Sequence, residues 1–243
     1  LGVISALKRN TIIDTITMII ANIGVSMPVF WLGLLLAYFF ALTLKGTPFV
    51  LPPSGRFSAG LSPVDLAEFW NLENLTGFKA FIIELMSNTV LVNVIITGDW
   101  PLFWDSLRHL ILPAIAVGTI PMSIIARMTR SSLLEVVGLD YIRAARAKGM
   151  TESRVIRKHA MRNALIPIVT IIGIETGSLL SGAVLTETVF NLPGFGTGLV
   201  SAILARDYPV VQGFTLVIAT IFVLVNLIVD ISYAYLDRRF RLE

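Results

Sequence analysis

The sequence has 243 residues, of which 55% are hydrophobic and only 14% are charged, and its net charge is +3. The charged fraction is about half that of a soluble globular domain, and the mean hydropathy is +0.81, so the composition excludes an ordinary soluble protein and indicates that lipid is the solvent. These residues include no Cys, which excludes disulfides, thiolate catalysis and cysteine-based metal centres, and the two histidines show no ligand spacing, so we expect no metal site.

Long apolar runs predict the membrane spans. The first residues, LGVISALKRN, are interpreted as the end of a span whose earlier part is missing. A spanning helix needs roughly 20 largely apolar residues. Four runs meet that need, at 15–44, 109–126 (extending to about 130), 164–187 and 208–229 (continuing to Tyr235). Because they do not alternate with period two, as the strands of a membrane barrel do, we predict an all-α, polytopic transmembrane helical bundle forming a single domain over 1–243.

The basic residues predict the orientation. Segment 127–162 contains nine Lys and Arg against three acidic residues, and further basic residues flank the first span and end the chain. Cytoplasmic segments carry an excess of Lys and Arg. We therefore expect 131–163 and the C-terminus to lie in the cytoplasm, and 45–108 and 188–207 to lie on the outer side of the membrane.

The stretch AFIIELMSNTVLVNVIITG, residues 80–98, is apolar enough to suggest another span. The number of crossings between two cytoplasmic segments is even, however, and the runs at 15–44 and 109–130 already supply two. We therefore interpret 80–98 as an outer-face or re-entrant helix. Its Glu84, Asn88 and Asn93 agree with incomplete burial.

The segment DYIRAARAKGMTESRVIRKHAMRN, residues 140–163, predicts two helices that meet at a glycine. Asp140 is a favourable N-cap for the first helix, and Gly149 can adopt the left-handed conformation that ends it. Thr151 can cap the second helix, which continues into the membrane, and Pro167 removes one backbone hydrogen bond near the membrane entry. The two helices present a compact corner to the cytoplasm.

Three interpretations of this corner compete. Its charge can be the ordinary cytoplasmic excess, which also attracts anionic lipids. It can be a helix-turn-helix that binds nucleic acid, but its position between two spans disfavours that hypothesis. It can be a docking element for a soluble partner. Only this third interpretation explains the adjacent Ala144 and Ala145, which permit close backbone approach, and the glycine-centred turn, which fits a cleft.

The motifs YIRAARAKGM and HAMRNALIPI resemble the cytoplasmic loop of ABC importer membrane subunits, in which two Ala residues precede a Gly by four positions and an apolar–Pro pair follows. Arg143 stands where that family has Glu. Within such importers the chain resembles the dipeptide/oligopeptide permease type. The matching segments are LPPSGR at 51–56, ARMTRSSLLEVVGLDYIRAARAKG at 126–149, GAVLTETVFNLPGFG at 182–196 and RDYPVVQG at 206–213.

The resemblance implies a type I importer permease fold and a location in the inner membrane of a prokaryote. It also implies a set of partners: a second, homologous permease subunit, two ATPase subunits that bind ATP and Mg, an extracytoplasmic substrate-binding protein and the bilayer. It implies no nucleic acid partner and no cofactor in this chain. The corner would be a coupling helix seated in a cleft of an ATPase subunit. Its docking residues would be Ala144, Ala145, Lys148, Gly149, Met150, Thr151 and Glu152.

Polar residues inside the third predicted span are candidates for the translocation pathway. Glu175, Ser178 and Ser181 lie there, and a charge at that depth usually faces a cavity or a partner helix. Glu175 would either meet the ammonium group of a peptide, or be protonated or hydrogen-bonded to the second subunit. Gly177, beside it, indicates close helix packing.

The sequence lacks GxxxxGK[ST], so energy has to come from a partner, and we predict no enzyme activity in this chain. The substrate stays open between dipeptides, longer peptides, glutathione-like compounds and nickel chelates. Two other classes remain for comparison. An ion-driven secondary transporter would show inverted repeats, and none is visible. A membrane-anchored interaction protein would have uniformly apolar spans, without the prolines and the Glu present here.

Overall fold

The protein is described by a computed structural model that covers residues 1–72, 75–180 and 184–236, and the described residues are helices and loops without strands. The helices of the first half are α1 Gly2–Leu7, α2 Ile12–Ile23, α3 Val29–Ala37, α4 Leu66–Phe69, α5 Gly77–Asn88 and α6 Val90–Thr97. Those of the second half are α7 Trp100–Val137, α8 Asp140–Ala147, α9 Glu152–Arg154, α10 Met161–Leu180, α11 Val184–Val189, α12 Phe195–Leu204 and α13 Tyr208–Leu236. Short π-helical segments, Tyr38–Thr43 and Val155–Ala160, follow α3 and α9.

Two described helices are long and apolar enough to cross a membrane, α7 and α13, or three if the bent pair α5–α6 counts as one. The spans predicted at 109–126 and 208–229 are therefore confirmed as parts of longer helices. With 38 residues, α7 is about 57 Å long, which exceeds the roughly 30 Å hydrocarbon core. A helix of this length that crosses a bilayer has to extend beyond the hydrocarbon core.

The span predicted over 15–44 is wrong as a single helix, because the chain is interrupted between Ile23 and Val29. Pro28 has no N–H to donate and restricts the conformation of the residue before it, so the first helix ends and a second begins. The freed carbonyl of Asn22 accepts hydrogen bonds from the N–H of Val25, at 3.1 Å, and from the hydroxyl of Ser26, at 3.2 Å. The third predicted span, 164–187, is helical as α10 up to Leu180 and then partly lies outside the described residues.

Stretch 80–98 is not one straight span, because α5 and α6 meet at an angle of 94°. Glu84 and Asn88 are exposed, as expected, but the expectation of incomplete burial is wrong for Asn93, whose side chain is fully buried. Its amide donates hydrogen bonds to the carbonyls of Val64, at 2.7 Å, and Ser87, at 3.2 Å. The Asn93 amide thus holds the bend between α5 and α6 in place. The side of the membrane on which this bend lies stays a prediction.

The chain divides into two compact units. The first comprises Leu1–Val29, Val117–Val184 and the chain from Pro193 onward. Its apolar core joins α1, the end of α7 and the segment that follows α7 as far as α10, and α10 also packs along α13. This unit contains the predicted cytoplasmic corner.

The second unit comprises Phe30–Ala116 and Leu185–Leu192. Within it Gly55, at a φ of +90°, donates its N–H to the carbonyl of buried Phe190 at 2.8 Å. A small core of Val90, Val94 and Leu102 lies under α6. This unit contains the 45–108 segment predicted to lie outside the cell, and both that location and the prediction of a single domain stay predictions.

Candidate functional site

The corner at residues 140–158 turns at Gly149, as the sequence predicts. Gly149 has a φ of +75°, which an L side chain adopts only with strain, and its N–H donates to the carbonyl of Arg146 at 2.9 Å. Lys148 donates its N–H to the carbonyl of Ala144 at 3.1 Å, which completes the end of α8. The prediction of a left-handed glycine after the first helix is confirmed.

The predicted caps differ from the structure in detail. Leu139, not Asp140, occupies the N-cap position of α8, and Asp140 is the first helical residue, where its carboxylate pairs with Arg143 at 3.2 Å. Thr151 does occupy the N-cap position of α9, but its side chain makes no capping hydrogen bond. The start of each helix is therefore fixed by backbone geometry and by packing.

An apolar core fixes the inner side of the corner. Ile142 and Val155 are fully buried and Ala145 nearly so, and they pack with Leu133 and Val136 from the end of α7. Because the same cluster continues into α10 through Ala164 and Ile168, the corner is joined to both long helices that flank it. A force on the corner is therefore transmitted to α7 and α10 through close-packed side chains.

The seven predicted docking residues fall into two groups. Five are exposed and lie together on the outer side of the corner: Ala144, Lys148, Gly149, Thr151 and Glu152. The other two face inward, since the Ala145 side chain is buried and Met150 packs against the apolar core. Ala145 therefore positions the corner rather than offering a contact surface. The docking role itself stays a prediction.

An ion pair that the sequence analysis missed closes the turn. Arg146 donates from Nε to Glu152 Oε2 at 3.0 Å and from Nη2 to Glu152 Oε1 at 2.7 Å, across Gly149. The hydrogen bonds from Arg146 hold the pKa of the Glu152 carboxyl below its usual value, against a smaller opposing effect of desolvation. The sequence feature that could have predicted this ion pair is the presence of opposite charges on either side of the turn glycine. The fork geometry, however, depends on rotamers that spacing does not determine.

A second missed ion pair joins distant parts of the same unit. Asp14, in the first turn of α2, is buried and accepts two hydrogen bonds from Arg130 of α7, at 2.9 and 2.8 Å. Ser5 donates to the same carboxylate, and the N–H of Asn10 donates to it at 3.0 Å. The Asp14 carboxylate thus accepts four hydrogen bonds, which compensate for the water that a charged group loses on burial. Asp14 directly precedes the apolar run at 15–44, and the sequence around it does not indicate that Arg130 is its partner.

The predicted pathway residues lie on α10, away from the corner. Glu175 is half-buried and has no hydrogen-bonding or ion-pair partner within the described ranges, Ser178 is exposed, and Ser181 lies outside the described residues. Glu175 lies fourteen positions after Met161 in the helix, about 21 Å along the axis. The structure therefore brings the docking residues together and keeps the pathway candidates separate from them.

Small residues allow α10 to approach α13 closely. A Cβ added at Gly177 would lie 2.5 Å from the ring of Phe222, and one added at Gly173 would collide with Val229. Thr170 and Tyr233 share a hydrogen bond of 2.5 Å between their hydroxyls. The prediction that Gly177 serves helix packing is confirmed. Among the described residues, no three carboxylate or imidazole side chains are grouped as a metal site would need.

Comparison with known proteins shows similarity to one family of transport proteins and to several peptide permeases. Residues 1–242 match the family described as "binding-protein-dependent transport system inner membrane component". The chain is 48% identical over 240 residues to the dipeptide transport system permease protein DppB of Alkalihalophilus pseudofirmus, covering 99% of this chain and 65% of that protein. It is 47% identical to the di/tripeptide transport system permease protein DppB of Pseudomonas aeruginosa, of which it covers 64%, and 46% identical to the dipeptide permease protein DppB of Escherichia coli K12, of which it covers 65%. The chain thus spans slightly less than two thirds of the length of these relatives.

Proposed function

The chain belongs to the family of inner membrane components of binding-protein-dependent transport systems, and from this premise we propose that it is the permease subunit of an ATP-driven importer of short peptides. The observation that carries the mechanism is the corner at 140–158: its inner side is fixed to α7 and α10 by an apolar core, and its outer side is exposed and basic. Such an element can receive a movement from a soluble partner and transmit it to membrane helices.

In the proposed mechanism an ATPase subunit binds ATP and Mg and closes on its own partner. The exposed docking residues lie in a cleft of that subunit, so closure displaces the corner, and the core carries the displacement into α7 and α10. The equilibrium between inward- and outward-facing states is thereby coupled to nucleotide binding. A second, homologous permease subunit supplies the other half of the pathway and docks on a second ATPase subunit.

The proposed substrates are dipeptides and similar short peptides, delivered by a binding protein on the outer side. The names of the three relatives above, with dipeptide or di/tripeptide in each, support this class. Glu175 supports it less directly: a half-buried carboxylate without a partner in the described chain is suited to meet a peptide's ammonium group. Ser178 and Ser181 complete the proposed pathway residues. The corner and the C-terminus lie in the cytoplasm.

Docking can be tested by cysteine cross-linking in the complete transporter, in a background free of other Cys. We expect Thr151→Cys, on the exposed side of the corner, to form an adduct with an ATPase subunit when native membranes receive a heterobifunctional reagent that joins this thiol to an amine of a neighbouring protein. The yield should change when ATP is added, because closure of the ATPase pair moves the cleft. Mass spectrometry identifies the partner.

The matched control is Lys79→Cys, an equally exposed position in the segment predicted to lie outside. It should give no ATPase adduct, and a membrane-impermeant thiol reagent should label it in intact cells, unlike Thr151→Cys. If Thr151→Cys captures no ATPase subunit while the second permease subunit is present, the docking hypothesis fails and the corner is an ordinary basic loop.

A further inference from the structure

A small cavity with a mixed polar and apolar lining lies beside the LPPSGR segment in the second unit. Its volume is about 290 Å³, near the lower end of the range for ligand pockets, roughly 300–1,000 Å³. The lining comprises Ala41, residues 50–53, the hydroxyl-bearing Ser58 and three charged residues, Lys45, Asp105 and Arg108. A cavity of this size accommodates one charged group of a larger molecule.

The single carboxylate of this lining is already used. Asp105 accepts hydrogen bonds from both the N–H and the hydroxyl of Ser58, each at 2.7 Å, and His109 Nδ1 lies 3.6 Å from its Oδ2. These bonds turn the carboxylate toward the 51–58 segment and attach that segment to the start of α7. Among the described residues no close ion pair joins Asp105 to Arg108, although their opposite charges attract each other.

Two cations thus face the cavity, and the one carboxylate of its lining is held by Ser58. Neither Lys45 nor Arg108 makes an ion pair with any residue that the structure describes. The other two basic residues of 45–108 are placed elsewhere: Arg56 donates to the carbonyl of Asn88, and Lys79 is exposed on α5. The segment has four basic and six acidic residues, so it is acidic overall and yet concentrates half of its cations on one cavity.

We propose that Lys45 and Arg108 form a carboxylate-binding site. A guanidinium donates two parallel hydrogen bonds to a carboxylate, and an ammonium beside it adds a point charge, which together select this group over a neutral one. The site rests on the proposed function, in which two carboxylates reach the outer face: an acidic side chain of the binding protein, or the terminal carboxylate of the transported peptide.

The test uses the complete transporter in proteoliposomes, with Lys45→Gln/Arg108→Gln as the variant and Lys79→Gln as the matched control. Stimulation of ATP hydrolysis is titrated with peptide-loaded binding protein at two salt concentrations, and peptide uptake per ATP is measured at saturating binding protein. If the binding protein supplies the carboxylate, the variant raises the half-saturating concentration of binding protein about three- to tenfold and weakens its salt dependence.

If the peptide supplies the carboxylate, the half-saturating concentration is unchanged and uptake per ATP falls instead. The variant Lys45→Arg/Arg108→Lys keeps both charges but moves the guanidinium, so it should lose clearly less than Lys45→Gln/Arg108→Gln, which separates charge from folding. The proposal is overturned if Lys45→Gln/Arg108→Gln matches wild type and Lys79→Gln in both. Failure of the proposed function would differ, because wild type itself would then show no ATP-dependent uptake.

Discussion

At the scale of single residues, the turn of the corner depends on Gly149 and on the ion pair that bridges it. The glycine could be predicted from sequence because few residues tolerate a positive φ. The Arg146–Glu152 pair could not, because two long side chains six positions apart face each other only once the turn exists. The pair is partly exposed, so its contribution to stability is below about 1 kcal/mol. It matters locally, where it holds the predicted docking residues between the two helices.

We predict that Arg146→Ala and Glu152→Ala each speed amide hydrogen exchange in 148–155 by up to about fivefold, the equivalent of 1 kcal/mol, measured by mass spectrometry on the purified transporter. The charge swap Arg146→Glu/Glu152→Arg should restore most of the protection. Because the folded pKa of Glu152 is lowered, its contribution is present above its unfolded pKa and is lost as pH falls through the folded value. Protection in wild type should therefore weaken below about pH 4.5, whereas the Ala variants should lack this component.

Arg143→Ala is the control for that experiment. It breaks a more exposed pair with Asp140 at the other end of α8 and should leave exchange around Gly149 unchanged. A swap that restores nothing would show that the bridge does not stabilise the turn.

At the scale of elements, glycines in α10 allow this helix to pack closely against α13. The sequence predicted both helices from their apolar runs, and Gly177 suggested close packing, but the partner helix could not be inferred because small residues do not specify what they contact. Val229 is the stiffest contact: it is buried, and a β-branched side chain has few alternative rotamers in a helix. Phe222, by contrast, is partly exposed and can move aside.

Gly173→Ala should therefore destabilise the protein by about 1–3 kcal/mol, because its Cβ would overlap Val229 and force the helices apart. Gly118→Ala, in α7, is the matched control: a Cβ there meets no heavy atom within 4 Å, and Ala should stabilise the helix by up to about 1 kcal/mol. Thermal unfolding in detergent should move in opposite directions for the two variants. Equal shifts would mean that helix propensity, not packing, decides the effect.

At the scale of the whole molecule, composition predicted the all-α membrane class, and charge located the corner. The Met27–Pro28 pair predicts a kink in 15–44, but not that the helix stops at Ile23 and a new one begins at Val29. An apolar run shows which residues lipid tolerates, and it does not show where a helix continues. Contacts between chain segments that are far apart in sequence were harder to predict. The first unit joins residues before Val29 to residues after Ala116, and its apolar core reaches from Ala6 to Ile168. Periodicity along the chain carries no information on such pairings.

The Asp14–Arg130 ion pair joins α2 to α7 within the first unit, so it should contribute to the stability of that unit. Asp14→Ala and Arg130→Ala should each lower the unfolding temperature of the purified transporter, since either leaves a charge at the site without its partner. The double variant should lose less than the sum of the two, because neither charge is then stranded. Asp140→Ala/Arg143→Ala, an exposed pair, should show almost additive and small effects by comparison. Additive losses at Asp14 and Arg130 would instead mean that the contact does not connect α2 with α7, and that the apolar core around Ala6 alone joins the first residues to the rest of the unit.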